Sequence, residues 1–176
     1  MEWMFMPLKR YADFSGRSRR MEFWMWQVFQ ILVYIVVIVL SIALGGGAMM
    51  MFGRDPGSAL AAGGTILVIF AFYGIYCLAV IIPSIAVAVR RLHDTNRTGW
   101  WVLAPLAPYL LIIVAGMIAA ASPDSAGAVA ILAGVASLAV FALAILLLVF
   151  YFLDGTPGAN RYGPDPKGRG EAQVFA

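Results

Sequence analysis

The residues best suited to chemistry in this sequence are His93 and Asp94, which are adjacent in a segment rich in arginine. A carboxylate next to an imidazole can orient the ring for general base catalysis. Adjacent residues in a helix do not face each other, however, and one histidine and one cysteine are too few for the usual His/Cys metal site. We therefore expect no catalytic residues, no cofactor and no metal. A membrane enzyme that uses His93 and Asp94 is the alternative.

Arginine is the more informative residue type, because a guanidinium group makes bidentate contacts with phosphate. The arginines are concentrated in three polar segments that border apolar stretches. The residues predicted to bind an anionic lipid headgroup or a partner are Arg17, Arg20, Arg90, Arg91, Arg97 and Arg161. The residues predicted to build the structure around them are Glu22, His93, Asp94, Asp154, Asn160 and Tyr162. In the alternative interpretation, these charges only set the topology and form ion pairs.

Four apolar stretches must position these segments. Only 12% of the residues are charged and the mean hydropathy is +0.89, so a soluble fold could not bury the apolar surface. A membrane span needs about 20 apolar residues, and residues 23–44, 64–89, 100–121 and 126–153 meet that length. The sequence predicts an all-α polytopic membrane protein with one four-helix domain over residues 1–176. The first stretch exceeds a signal-peptide core, so we expect it to be retained.

The basic residues predict the orientation in the membrane. Eleven of the twelve flank the same side of the four spans, and Arg54 lies alone on the other side. The positive-inside rule then places residues 1–22, the loop with Arg90 to Arg97 and residues 154–176 in the cytoplasm. Tryptophan favours the same side, because indole prefers the headgroup level. The predicted interface anchors are Trp24, Trp26, Trp100 and Trp101.

Polar side chains also occur within the first two spans. Gln27, Gln30 and Tyr34 share one face of the first, and Tyr73 and Tyr76 lie midway along the second. Buried amides commonly connect helices in membranes. We therefore expect hydrogen bonds between these helices, with a polar path for a solute as the alternative.

The three polar segments together resemble the signatures of a family of bacterial inner-membrane proteins known as domain of unknown function 805. The opening signature is Phe14-Ser15-Gly16-Arg17 followed by Arg20, Glu22 and Trp24. The central one is Arg90-Arg91-Leu92-His93-Asp94 with Gly99-Trp100-Trp101, and the closing one is Gly158 with Asn160-Arg161-Tyr162-Gly163-Pro164. The resemblance covers about Leu8 to Pro166. It implies a multi-span protein of the bacterial cytoplasmic membrane and brings no reaction, ligand or cofactor.

The signature residues all border the predicted cytoplasmic interface, so we expect glycine-dependent turns against the helix ends there. The tail after Asp154 should fold back, so that Arg161 or Tyr162 touches the segment from Arg90 to Arg97. The functional expectation is a non-enzymatic membrane protein that binds anionic lipid headgroups or a partner, which is itself or another membrane protein. Nucleic acid is not expected as a partner, because the basic residues are few. The alternative is an oligomeric small transporter or channel subunit.

Overall fold

The computed structural model describes residues 2–47 and 56–169, and within them the secondary structure is helical. The α-helices are α1 (Glu2–Lys9), α2 (Arg20–Ser41), α3 (Pro56–Asp94), α4 (Leu106–Ala121) and α5 (Ala126–Phe152). A π-helical turn (Ile42–Gly46) extends α2, and 3-10 turns precede α4 (Gly99–Leu103) and α5 (Pro123–Ser125). Arg54, predicted to lie in the turn after the first span, is outside the described residues.

Four segments are long and apolar enough to cross a membrane: Arg20–Gly45, Leu60–Asp94, Gly99–Ala121 and Ala126–Phe152. Large apolar side chains on them stay exposed, as Leu67 and Leu138 illustrate at 72% and 70%. Exposed apolar side chains on helices suit contact with lipid, because a helix satisfies its own backbone hydrogen bonds. The predicted all-α class with four spans is confirmed.

The second spanning helix differs most from its predicted bounds. We expected residues 64–89 and a charged loop after them, whereas α3 runs from Pro56 to Asp94. Its 39 residues correspond to about 58 Å, nearly twice a hydrocarbon core of about 30 Å. The helix can therefore continue through Arg90, Arg91 and Asp94, because its polar last turn does not have to lie in hydrocarbon.

The described chain forms two compact units, of which the first comprises Met1–Asp13 and Met21–Ala86. Its polar side chains bond to one another within the apolar helices. Ser84 Oγ accepts a hydrogen bond from Trp26 Nε1 at 3.0 Å and lies 3.5 Å from Gln30 Nε2. The Tyr76 hydroxyl donates to Gln30 Oε1. These bonds confirm the predicted contacts between helices α2 and α3.

The second unit comprises Phe14–Arg20 and Val87–Ala176. Helices α4 and α5 pack against each other as a hairpin around the short turn Pro123–Ser125. Gly99 opens the 3-10 turn before α4, and a Cβ added there would lie 2.7 Å from Val89 Cγ1. The turn is therefore laid closely against the end of α3, as the glycine before the paired tryptophans predicts. This unit contains the candidate site.

Candidate functional site

The candidate site is built on the last turn of α3. Asn96 adopts a left-handed conformation (φ 58°), its N–H donates to His93 O at 3.0 Å, and Arg97 N donates to Leu92 O at 2.9 Å. These two bonds form a Schellman motif, which ends a helix and satisfies its last carbonyl groups. Because the helix continues up to this motif, Arg91 and Asp94 lie about one turn apart on the same face of the helix.

Asp94 is the centre of a buried cluster that consists of Arg17, Arg91 and Asp94. Arg17 Nε donates to Asp94 Oδ1 at 2.9 Å, and Arg91 Nη1 donates to Asp94 Oδ2. The exposed fractions are 6% for Arg17, 0% for Arg91 and 1% for Asp94, whereas the apolar spans are largely exposed. Part of the buried interior of this unit is thus ionic, beside an apolar cluster of Leu92, Leu147 and Phe150. Two guanidinium groups share this carboxylate, and Arg17 Nη2 also lies 3.9 Å from Oδ1 of the buried Asp165.

Main-chain carbonyl groups satisfy the remaining donors of the two arginines. Arg17 donates to Thr156 O at 2.5 Å and to Gly158 O at 2.6 Å. Arg91 donates to Tyr151 O at 3.2 Å and to Leu153 O. Carbonyl dipoles aimed at a guanidinium help to offset the cost of removing its charge from water. Arg91 therefore connects the ends of α3 and α5, and Arg17 connects both to the chain that follows.

The segment of residues 154–169, called the tail below, folds onto the end of α3. Thr156 N donates to Asp94 O at 2.9 Å, and Asn160 Nδ2 donates to His93 O at 3.0 Å. The Tyr162 ring stacks on His93 with 3.8 Å between centroids and 4° between planes. Arg161 Nη2 donates to Asn96 O at 3.0 Å. These contacts confirm the predicted return of the tail to the segment Arg90 to Arg97.

A glycine is required where the tail passes Asp94. A Cβ built at Gly155 would overlap the carboxylate of Asp94. Gly158 adopts a φ of +75° and Gly163 a φ of +133°, which only glycine adopts readily. Gly155 therefore allows close packing, and Gly158 and Gly163 allow backbone conformations that other residues rarely adopt.

Two further carboxylates hold the tail. Asp165 is buried, and its carboxylate accepts hydrogen bonds from Arg169 Nε at 2.8 Å and from Lys167 N at 2.9 Å. Burial raises the pKa of Asp165, but these bonds and the neighbouring guanidinium groups outweigh burial and lower the pKa to about 2. Asp154 is exposed, and its hydrogen bond from Lys167 is the main cause of its lowered pKa. Both groups stay ionised at neutral pH.

The predicted binding arginines fall into two groups. Arg17, Arg90 and Arg91 are buried, so they cannot reach a headgroup outside the protein in this arrangement. Arg20, Arg97 and Arg161 keep partly or fully exposed side chains, and the Arg97 guanidinium lies 3.9 Å from the centroid of the Phe150 ring. The prediction of ligand contact therefore applies to the three exposed or partly exposed arginines, because the three buried ones lie inside the protein.

The other predicted residues are also found in different surroundings. His93, Asp94, Asp154, Asn160 and Tyr162 meet in the second unit, and Glu22 is buried in the first turn of α2. Trp100 is 77% exposed, and Trp24 and Trp101 are half-buried. Trp26 is fully buried and donates to Ser84, so its predicted role as an interface anchor has to be corrected. An anchor has to reach the headgroups, and this indole does not.

Four residues of the site were not among those predicted from the sequence. Arg19 donates to Pro166 O, and Lys167, Arg169 and Asp165 form the ion pairs of the tail. The tail is not helical from Asp165 to Arg169, so the four-residue spacing rule for helices gave no signal for this pair. Among the described residues, no group of three or more His, Cys, Asp or Glu side chains is placed to hold a metal ion.

Comparison with known proteins gives consistent matches over nearly the whole chain. The family described as Protein of unknown function (DUF805) matches residues 11–164. Inner membrane protein YhaI of Escherichia coli (strain K12) is 30% identical over 167 residues, which cover 95% of this chain and 97% of the relative. Inner membrane protein YhaH of the same strain is 32% identical, covering 95% of this chain and 98% of the relative. No solved structure matches.

Proposed function

Because this chain belongs to the family of proteins of unknown function DUF805, whose relatives YhaI and YhaH are inner membrane proteins, we propose a membrane role for its polar end. The protein is a non-enzymatic component of the bacterial inner membrane. Its arginine-rich end lies at the cytoplasmic interface and binds anionic lipid headgroups there.

The observation that carries this proposal is the charge balance of the second unit. Apart from Asp124, which lies at the far end of the α4–α5 hairpin, residues 14–20 and 87–169 contain nine basic and three acidic residues. The buried cluster and the tail use all three carboxylates. These residues therefore carry an excess of positive charge. Each basic residue near an anionic membrane surface contributes about 1 kcal/mol of attraction.

The exposed arginines of the site are suitably placed to use that charge. Arg161 is exposed, and its guanidinium lies between Asn96 O, at 3.0 Å from Nη2, and the Tyr162 ring, at 4.8 Å from the centroid. The position of its charge is thus fixed without a carboxylate partner in these contacts. A guanidinium fixed by neutral groups keeps its full charge for a phosphate outside the protein.

The proposed orientation follows from the same residues. With both termini in the cytoplasm, eleven of the twelve basic residues face the side that the positive-inside rule favours. Reporter fusions to each terminus would test this: a fluorescent protein that folds only in the cytoplasm should be active at both ends. A periplasmic reporter that is active at either end would contradict the orientation.

Native mass spectrometry of the full chain with mixed lipids tests headgroup binding. We expect the protein to retain phosphatidylglycerol over phosphatidylcholine. Replacing Arg97 and Arg161 with glutamine should reduce that preference by about 30-fold, since each contributes about 1 kcal/mol. The matched control is Arg54→Gln, which removes one positive charge from the opposite side of the predicted spans and should not alter the preference. Equal retention of the two lipids by the parent protein would contradict the proposal.

Two alternatives stay predictions. The structure favours a structural role for His93, because its ring stacks on Tyr162 while both oxygens of Asp94 accept bonds from Arg17 and Arg91. The contacts among Gln30, Tyr76 and Ser84 likewise favour adhesion between helices over a polar path for a solute. Solute flux in vesicles would support an oligomeric transporter or channel subunit.

A further inference from the structure

Asp154 and the three cations around it form a second charged group, distinct from the buried cluster. Asp154 Oδ1 lies 2.7 Å from Arg20 Nη2, 2.8 Å from Lys167 Nζ and 4.0 Å from Arg169 Nη1. The side chain of Asp154 is 56% exposed, and those of Arg20, Lys167 and Arg169 are 41%, 31% and 34% exposed. Unlike the buried cluster, this group is open to the surroundings of the protein.

The charge of this group is unbalanced. Three cations approach the same carboxylate oxygen, and the second carboxylate near Arg169 is Asp165, which is buried. Exposed ion pairs contribute little to stability, about 0–1 kcal/mol each, so folding alone does not explain why three cations converge there. The three cations and Asp154 carry a net charge of plus two, which a dianion would neutralise.

Two of the three cations, Arg20 and Arg169, are held in place by bonds that do not involve Asp154. Arg20 Nη1 donates to Phe152 O at 3.0 Å, and Arg169 Nη2 donates to Gly155 O at 3.0 Å. The main-chain N–H of Lys167 donates to Asp165 at 2.9 Å. Groups that are fixed before a ligand arrives lose less entropy when it binds. The two guanidinium groups are therefore positioned independently of Asp154, whereas the Lys167 ammonium contacts Asp154 itself.

The position of this charged group along the chain indicates its depth in the membrane. Arg20 is the first residue of α2, and Asp154 follows the last residue of α5, Phe152, by two positions. Both residues therefore border spanning helices, where lipid phosphate groups lie. A phosphomonoester carries a charge of about −1.5 to −2 near neutral pH, with three acceptor oxygens for three cations.

We infer that Arg20, Lys167 and Arg169 bind a phosphomonoester. The Asp154 carboxylate pairs with these cations when the ligand is absent and competes with the ligand for them. This rests on the proposed binding of anionic headgroups and specifies its chemistry. A lipid such as phosphatidic acid and a soluble phosphomonoester would both present this group. Phosphatidylglycerol, a phosphodiester with a single charge, should bind this site more weakly.

The experiment uses the full chain in lipid nanodiscs, with phosphatidic acid, phosphatidylglycerol or phosphatidylcholine, and retention measured by native mass spectrometry. We expect preference for phosphatidic acid over phosphatidylglycerol. Lys167→Gln should weaken it by about three- to tenfold, because one of the three cations is removed. Asp154→Asn should strengthen it by a similar factor, because the competing charge is lost while an acceptor oxygen stays. Asp124→Asn is the matched control and should leave it unchanged.

Glycerol 3-phosphate added to the same samples identifies the source of the ligand. Displacement of phosphatidic acid at millimolar concentration would indicate a site for soluble phosphomonoesters, and resistance to it would indicate a lipid site. Either result is consistent with binding of a phosphomonoester group. Equal retention of phosphatidic acid and phosphatidylglycerol would overturn the inference, as would weaker binding by Asp154→Asn. If phosphatidylglycerol still exceeded phosphatidylcholine, the proposed function would survive that failure.

Discussion

Asp94→Asn is the most direct test of the buried cluster. The substitution keeps the shape of the side chain and removes the carboxylate charge that Arg17 and Arg91 share. The main-chain carbonyl of residue 94 still accepts the hydrogen bond from Thr156 N, which is 2.9 Å long. The variant therefore changes the charge of the cluster without deleting the bond that docks the tail.

The expected cost follows from the burial of the three side chains. Removing one partner of a buried ion pair costs about 3–5 kcal/mol, because the other charge is left without compensation. Arg17 keeps its bonds to Thr156 O and Gly158 O, and Arg91 keeps those to Tyr151 O and Leu153 O. We therefore expect the lower end of the range, about 3 kcal/mol, which makes release of the tail about 100-fold more frequent.

Hydrogen exchange at the Thr156 amide is the assay, because local opening governs its rate when reclosing is fast. Exchange in Asp94→Asn should be about 100-fold faster than in the parent protein, while amides in the middle of α5 keep their rates. Asp124→Asn makes the same chemical change at the exposed turn before α5 and should not alter exchange at Thr156. A rate within about twofold of the parent protein would refute the assigned role of Asp94.

A double-mutant cycle separates the ion pair from other effects of the change. Arg17→Gln and Asp94→Asn should cost less together than the sum of their separate costs, since each removes the same 2.9 Å interaction. Additive costs would mean that Arg17 holds the tail through its bonds to carbonyl groups alone.

Three further predictions concern other contacts. Gly155→Ala should destabilise the docked tail by about 1–3 kcal/mol, because the added Cβ would overlap the carboxylate of Asp94. Gly134→Ala, where the added Cβ meets open space, should have no such effect. The rate of trypsin cleavage within the tail measures both variants. Ser84→Ala should lower stability in detergent by about 0.6–1.7 kcal/mol, because Trp26 loses its acceptor; an unchanged melting temperature would contradict this. Asp165 should have a pKa of about 2, below the usual value of about 4. Its contribution to the stability of the folded protein is therefore present above about pH 4 and is lost as the pH falls towards 2. NMR of the carboxyl group measures the titration midpoint.

Much of the fold could be predicted from hydropathy, because each span is long and almost free of charge. The ends of the helices could not. Arg90 and Arg91 were assigned to a loop for their charge, yet α3 continues to Asp94 because the cluster and the tail neutralise and cover that turn. A stop signal was present in Asn96, a residue type that tolerates the left-handed conformation of the Schellman motif. Charge alone is a poor boundary signal when a partner lies far away in the sequence.

The site was predictable in its location but not in its pairings. The three signature segments do meet, and the return of the tail followed from its glycines and its signature residues. Which arginines would be buried depended on separations such as that of Arg17 and Asp94, 77 residues apart. Nothing local in the sequence distinguishes Arg17, which is buried, from Arg20, which is partly exposed. Only the packed geometry separates structural arginines from those available to a ligand.

The burial of ionic groups beside exposed apolar helices has a physical reason. In lipid the apolar surface of a helix gains nothing from being buried against another helix, so association there depends on packing and polar contacts. The end of α3 can instead bury charge, because three chain segments supply carboxylate and carbonyl oxygens to Arg17 and Arg91 there. Basic residues outnumber acidic residues over residues 14–20 and 87–169, so this part of the chain stays positive even when its ion pairs are formed. The same arrangement that closes the tail therefore also favours anions at the surface around it, so the headgroup binding that we propose would draw on the same charges as folding.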